Sequence, residues 1–447
     1  SIVAAALLFM AGCAGGAGGG PARAMLPPAN RHAGSGKIAH VVIVIQENRT
    51  FDDLFQGYPG ADTQSYGYTS EGTKVSLAPI GLEAPWDIEH DAQGFFAACN
   101  GTGKLPGTHC KMNGFDKEAV TCGRPIGGPR CPNADPQYGY VPSAETKPYV
   151  AMAQQYVLAD RMFTSNLDAS SFVSHQYAIA AQAERSVDFP SINVWGCDGG
   201  AKDTIVTLTN RRTYGTPIQA CFDGKTLGDE LDDAGVSWRY YTSKIETGDA
   251  GNWSAYQAIR HIRYGADWKD DVVTPQTRFF KDVSAQKLPA VSWITPTCAN
   301  SDHAACNSNH GPHWVASIVN AIGKSPYWDS TAVFVFWDDG GGWYDHVPPP
   351  MVDYDGLGAR VPLLVISAYA KQGYVSHVRY EHGSILKFVE DQFGLARLAA
   401  SDSRASSPQS DCFDFSKPPR PFVTIPSRLH AADFARERLD PRPPDNE

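Results

Sequence analysis

His40-Val-Val-Ile-Val-Ile-Gln46 runs without a break into Glu47-Asn48-Arg49-Thr50-Phe51-Asp52. The β-branched run from Val41 to Ile45 predicts a strand buried on both faces, as in the middle of a parallel sheet. Parallel sheets bind ligands just beyond the carboxyl ends of their strands. This strand ends on a carboxylate and a carboxamide, two hard oxygen donors that suit a divalent cation. The same two residues could instead cap the helix that follows. The segment alone leaves both readings open.

A second stretch repeats the pattern far along the chain. Thr331-Ala-Val-Phe-Val-Phe-Trp337 is again continuous and apolar, and it ends on Asp338-Asp339-Gly340-Gly341-Gly342-Trp343-Tyr344-Asp345-His346. Adjacent carboxylates repel each other unless a cation or a proton lies between them. The glycines let the backbone bend so that both side chains turn toward one point. Alone, Asp-Asp-Gly also reads as a solvated turn. Beside Glu47 and Asn48 at another strand end, it predicts four oxygen donors converging on one sheet edge. Val361-Pro-Leu-Leu-Val-Ile-Ser367 supplies a third strand, and a helix is expected from Ser384 through Glu390. Strands alternating with helical patterns predict an α/β fold, with a mostly parallel central sheet flanked by helices.

The 447 residues carry a formal net charge of −10, with 42% hydrophobic and 19% charged side chains. That acidity argues against nucleic acid or an anionic membrane face as the main partner. A small anionic substrate remains compatible, because a metal and a few histidines reverse the field locally. No internal stretch reaches a membrane-spanning length of apolar residues. Residues 1–36 read as an export signal, Ser1-Ile-Val-Ala-Ala-Ala-Leu-Leu-Phe-Met-Ala-Gly-Cys13, followed by a flexible Gly/Ala/Pro tether. Met10-Ala11-Gly12-Cys13 resembles a bacterial lipobox, whose lipidated cysteine would anchor the protein to a membrane; a plain secretory signal is the other reading. Either places the mature protein outside the cytoplasm, in the periplasm, on the outer membrane or secreted. Residues 37–415 read as one domain, with a loop-rich cap over about residues 80–145. Residues 416–447 read as a Pro/Arg-rich tail that wraps the surface or stays disordered.

The cysteines agree with export. Cys99 and Cys110, Cys122 and Cys131, Cys197 and Cys221, and Cys298 and Cys306 fall as near neighbours in Gly/Pro/Asn-rich loops. This disulfide pattern suits an oxidising compartment, with Cys412 left free. Spacing leaves other connectivities open.

Asn166-Leu-Asp-Ala-Ser170-Ser171-Phe-Val-Ser174-His175-Gln-Tyr-Ala-Ile-Ala-Ala-Gln182 reads as a turn followed by a helix. A hydroxyl at a helix start caps it. It is alternatively a nucleophile, because the positive end of the helix stabilises both an alkoxide and an incoming phosphate. A metal on the same oxygen would lower the hydroxyl pKa. His90 in Asp87-Ile-Glu-His90-Asp91, His261 in Ile259-Arg260-His261 and His303 in Asn300-Ser301-Asp302-His303 stand in polar contexts. Any one alone is more often a loop histidine or a helix-terminal partner. Gathered on one sheet edge, they would cradle a phosphoryl group at mildly acidic pH, and one could protonate the leaving oxygen. His310, His313, His346 and His382 form a second tier.

Several of these stretches together resemble the phosphoesterase superfamily of bacterial acid phosphatase A and the bacterial phospholipases C. They are Gln46-Glu-Asn-Arg-Thr-Phe-Asp52, Met112-Asn-Gly-Phe115, Ser171-Phe-Val-Ser-His-Gln176, Ser301-Asp-His303, Trp337-Asp-Asp-Gly-Gly-Gly-Trp-Tyr-Asp-His-Val-Pro-Pro-Pro350 and Tyr380-Glu-His-Gly-Ser-Ile-Leu-Lys-Phe388. The resemblance runs from about residue 38 to 395. It implies an alkaline-phosphatase-like fold, with residues 37–415 as the catalytic domain and hydrolysis of a phosphate-ester substrate through a phosphoserine.

Carried over residue by residue, it implies that Glu47, Asn48, Asp338 and Asp339 hold one divalent metal. Oxygen donors alone would accept Mg, Ca or Mn. Ser171 would be the nucleophile and also touch the metal. His90, His261 and His303 would bind phosphate and move protons, with the loosest match at His261. The family commonly has two glycines before the serine, whereas this chain has Ala169-Ser170. Ser170 therefore competes as nucleophile; Ser171 is preferred because Phe172 to Gln176 follow it in register.

An acid phosphatase acting on phosphomonoesters is the first expectation. The chain ends near where the family's catalytic domain should end. The second acid after Trp337 is Asp339, as in phosphatase-like members, where the phospholipases more often have Glu. A phospholipase C would need an apolar rim and an aromatic cage for choline. A lipid-anchored binding protein that keeps the fold without turnover would show itself by loss of the serine or a metal ligand.

Overall fold

The computed structural model describes residues 36–124, 128–167, 170–192, 194–245 and 250–438. The export signal, Cys13 and the tether up to residue 35 lie outside the described residues, as do Ala169 and residues 439–447.

Nine strands make the central sheet: β1 His40–Gln46, β2 Val157–Phe163, β3 Trp238–Tyr241, β4 Val272–Val273, β5 Val291–Ile294, β6 Thr331–Trp337, β7 Arg360–Ser367, β8 Tyr374–Ser376 and β9 Tyr380–Glu381. Their order is β4-β3-β5-β1-β6-β7-β2-β8, with β9 also pairing β2. Neighbours run parallel except where β7 meets β6 and β2. Val41 to Ile45 are fully buried, as a central parallel strand requires. The expected third strand begins one residue earlier than its apolar run and is the antiparallel one. A parallel return needs a crossover, usually a helix, whereas the link from β6 to β7 is a loop with no helix in it.

Six helices matter for the site: α1 Phe51–Phe55, α2 Lys147–Gln155, α3 Ser171–Ala180, α4 Leu227–Asp233, α5 Gly311–Gly323 and α6 His382–Phe393. α6 outruns the expected Ser384–Glu390 at both ends. At its start Glu381 N–H donates to Ser384 Oγ at 3.0 Å, and Gly394 closes it at φ 70°. α6 packs on α3, and α2 on α5.

All four expected disulfides form, Cys99–Cys110, Cys122–Cys131, Cys197–Cys221 and Cys298–Cys306, and Cys412 is a buried free thiol. The first two brace the loop-rich cap. The cap grips the loop after Asp339: Trp86 lies 5.4 Å from Trp343, and Phe115 and Tyr138 each lie 5.1 Å from Tyr344. The described part of the tail lies against the domain. Ile425 exchanges hydrogen bonds with Asn320, and Phe434 packs 5.1 Å from Trp314.

Buried charge is balanced around Arg360. Arg360, fully buried, donates to Asp345 at 2.9 Å and to Asp52 at 3.2 Å, and Asp52 also meets His346 Nδ1 at 2.6 Å. Glu390 on α6 is less well served, although it pairs with Arg397 at 2.7 Å. Burial and then the Asp402 carboxylate lift its carboxyl to about 9, against the pull of Arg397. A folded pKa above the unfolded one, about 4.3, gives a contribution that is complete below that pH and is lost as pH rises through 9. Glu390→Gln keeps the shape without the charge. Calorimetry should show its melting midpoint raised by about 2 °C at pH 8 and unchanged at pH 4.

Candidate active site

β1 and β6 are adjacent and parallel, with Gln46 opposite Trp337. The residues that leave their carboxyl ends therefore emerge side by side. Asp338 N–H continues the ladder to the Gln46 carbonyl at 2.9 Å. Asn48 takes a left-handed turn, φ 63°, which Asn tolerates better than most residues. Its N–H donates to Asp338 Oδ1 at 3.2 Å. Helix α1 is capped by Thr50, whose Oγ1 accepts from Asp53 N–H, so Glu47 and Asn48 are not spent on capping. Gly341, at φ 56°, donates its N–H to Asp339 Oδ1 at 2.7 Å. A Cβ there would meet the Asn48 carbonyl at 2.4 Å, so the glycine tract lets the two strand-end loops touch.

Glu47, Asp338 and Asp339 are each at most 1% exposed. Three carboxylates at that depth repel one another strongly. The Asn48 amide can be turned either way. One orientation sets its oxygen 3.2 Å from both Asp338 Oδ1 and Glu47 Oε2, oxygen against oxygen, and its nitrogen 2.9 Å from His90 Nε2. The other turns the nitrogen to the carboxylates and the oxygen to His90 and His303, the latter at 3.3 Å. His90 Nδ1 donates to the Ile88 carbonyl at 2.7 Å, so in the neutral ring Nε2 accepts. The second orientation satisfies both faces of the amide, whereas the first turns its oxygen in beside those of Glu47 and Asp338, as a cation bound there would favour. The residues thus fit a hard divalent ion.

Ser171 is the first residue of α3, a helix buried along its whole length, and its Oγ donates to Asp339 Oδ2 at 3.3 Å. Ser170 turns its hydroxyl to the Asp188 carbonyl at 2.9 Å. One turn on from Ser171, His175 reaches the carboxylates with Nε2 3.0 Å from Glu47 Oε1 and 3.6 Å from Asp338 Oδ2. Ligand atoms of Glu47, His175 and Asp338 all lie within 4.8 Å of one another. No motif in the sequence marks His175 as a site residue. Its i, i+4 spacing from Ser171 was the available signal.

His90 and His303 are both 1% exposed, with ring centres 5.6 Å apart. Phe189 sets its edge against His90 at 5.8 Å, and Trp253 stacks beside His303 at 5.9 Å. His261 requires a correction. It lies on a short helix, Arg260–Arg263, whose buried residue is Ile262, so the histidine faces outward. Its Nε2 pairs with Asp229 of α4 at 2.7 Å, and the side chain is 43% exposed. Of the second tier, His382 is buried within reach of the Asp338 charge and bonds the Trp337 backbone. There burial chiefly holds its pKa down, to about 4, with the Asp338 charge opposing. His310 meets Glu437, His313 meets Ser427, and His346 belongs to the Arg360 network.

The phosphoesterase family profile matches residues 38–396. The chain belongs to the phosphoesterase family. This phosphoesterase is 25% identical over 431 residues to phospholipase C B of Mycobacterium tuberculosis, covering 86% of this chain and 79% of that protein. It is 24% identical to the non-hemolytic phospholipase C of Pseudomonas aeruginosa, covering 94% of this chain and 64% of that protein. It is 23% identical to non-specific phospholipase C1 of Arabidopsis thaliana, over 85% of this chain and 74% of that one. Among solved structures, a Vibrio parahaemolyticus protein of the alkaline phosphatase superfamily aligns over 85% of this chain and 73% of its own, with 11% identity and a TM-score of 0.38. The phosphoesterase is thus a phosphoric-ester hydrolase with an α/β fold, as the sequence resemblance implied.

Proposed function

We propose that this phosphoesterase is an exported enzyme that hydrolyses phosphomonoesters through a phosphoserine on Ser171. The observation that carries the proposal is the meeting of Ser171, Asp339, Asp338, Glu47 and Asn48 at the ends of two neighbouring strands. In this reading Glu47, Asn48, Asp338, Asp339 and Ser171 hold one divalent ion, Mg, Ca or Mn. Bound there, the ion would lower the Ser171 pKa and offset charge on the phosphoryl oxygens. Asp339 orients the Ser171 hydroxyl and accepts its hydrogen. The start of α3 favours the negative charge that gathers during attack. His90 and His303 face the leaving side, where one imidazole donates a proton to the departing oxygen. Water then cleaves the Ser171 phosphoester. His261 has no part in this scheme.

Enclosure supports a small substrate. Ser171, His90 and His303 are each at most 1% exposed. A second reading, phospholipase C acting on phosphatidylcholine-type lipids, is favoured by the relatives' activity and by Phe189 and Trp253 beside the imidazoles. The disulfides support export, and Cys13 supplies the lipid-anchor reading of it. The direct test compares p-nitrophenyl phosphate with p-nitrophenyl phosphorylcholine, each with and without a chelator. Turnover of the first alone, abolished by chelation, is expected. Preference for the second moves the enzyme to the phospholipase reading, and chelator-resistant turnover removes the metal from the scheme.

A further inference from the structure

Asp302 is fully buried, and its bonds reach the chain neighbours of three site residues. Its Oδ2 accepts from Trp337 Nε1 at 3.0 Å and from Tyr149 Oη at 2.8 Å. Its carbonyl accepts from Arg49 Nε at 2.7 Å. Trp337 immediately precedes Asp338, Arg49 immediately follows Asn48, and Asp302 itself precedes His303. Tyr149, on α2, stands edge-on to Trp337 with ring centres 5.0 Å apart. α5 closes the other side, since a Cβ on Gly311 would fall 2.0 Å from Asp302 Oδ1.

We propose that Asp302 is a positioning residue that sets the spacing of Asn48, His303 and Asp338. The inference rests on the reading that these three belong to one metal and phosphoryl site. The physical argument is about rigidity. The three residues sit on separate loops, and a hard cation tolerates little error in the distances between its oxygen donors. A buried carboxylate with two short, directional donors has one geometry available, and a charged acceptor makes those bonds stronger than a neutral one would. Groups behind the ligands commonly orient them in this way. A carboxylate placed only to balance Arg49 would need none of the Trp337 and Tyr149 bonds, and Arg49 already pairs with Asp53 at 3.1 Å.

The test uses the whole chain with Mn²⁺ alone as probe, by calorimetry without substrate, together with kcat and KM on the assay substrate. Asp302→Asn keeps volume and weakens the acceptor. Tyr149→Phe removes one donor and leaves the carboxylate. Each is expected to weaken Mn²⁺ binding and lower kcat by about tenfold, with KM nearly unchanged. Wild-type affinity and kcat in a folded Asp302→Asn protein overturn the proposal. Should that variant fail to fold, Tyr149→Phe decides: weakened Mn²⁺ binding supports the proposal, and unchanged binding overturns it. Mn²⁺ binding that is lost in Asp338→Asn but intact in both these variants overturns the Asp302 role alone. Absence of Mn²⁺ binding from the wild type overturns the metal reading and this proposal with it.

Discussion

Ser171→Ala is expected to lower kcat by at least about a thousandfold while the protein stays folded. In the proposed mechanism the Ser171 oxygen forms the bond to phosphorus, and alanine leaves no atom to form it. Ser171 is fully buried, so the substitution has some structural cost. That cost is the single bond to Asp339 at 3.3 Å, about 1 kcal/mol, and Ala fits the helix well. Ser170→Ala is the matched control, because its hydroxyl is already bonded to the Asp188 carbonyl. Quenched turnover followed by peptide mass analysis should find phosphate on Ser171 in the wild type. A near-normal rate in Ser171→Ala, with loss in Ser170→Ala, transfers the nucleophile to Ser170. Near-normal rates in both remove the phosphoserine from the mechanism.

Asp338→Asn should cost metal and rate together, with affinity lower by at least about a hundredfold and activity partly restored by excess ion. Metal content after dialysis and kcat against metal concentration measure the two effects. The same change should stabilise the metal-free protein. It removes one of three crowded carboxylates and leaves a side chain that still accepts from Asn48 N–H. Opposite signs in the metal-free and metal-loaded proteins are hard to obtain from a residue that is merely structural. A variant with full metal content and full rate would separate Asp338 from the site.

Much of the fold was readable because the decisive strands are chemically plain. Val41 to Ile45 and Thr331 to Trp337 have no polar face, and a strand without one has to lie inside a sheet. The disulfides were readable because each joins cysteines close in the chain, the longest step being 24 residues. The misplacement of His261 shows the limit. A polar context says nothing about direction, and Ile262 next to it holds the only buried position of that short helix. Ser170 and Ser171 show the same limit at finer scale. One residue along a helix start rotates the side chain by roughly 100°, and that rotation separates a bond to a distant carbonyl from one to Asp339.

The residue order of this chain dictated which segments would be buried strands and which oxygen and imidazole groups would stand at their ends, because those properties follow from local composition and periodicity. It could not dictate that β1 and β6 become neighbours in one register. That pairing joins segments almost three hundred residues apart, and it depends on the packing of the whole sheet and of the helices that carry Ser171 and His175. The folded arrangement chose which of the chemically able groups meet, since a metal or a phosphoryl group responds to distances of a few ångströms and not to residue type.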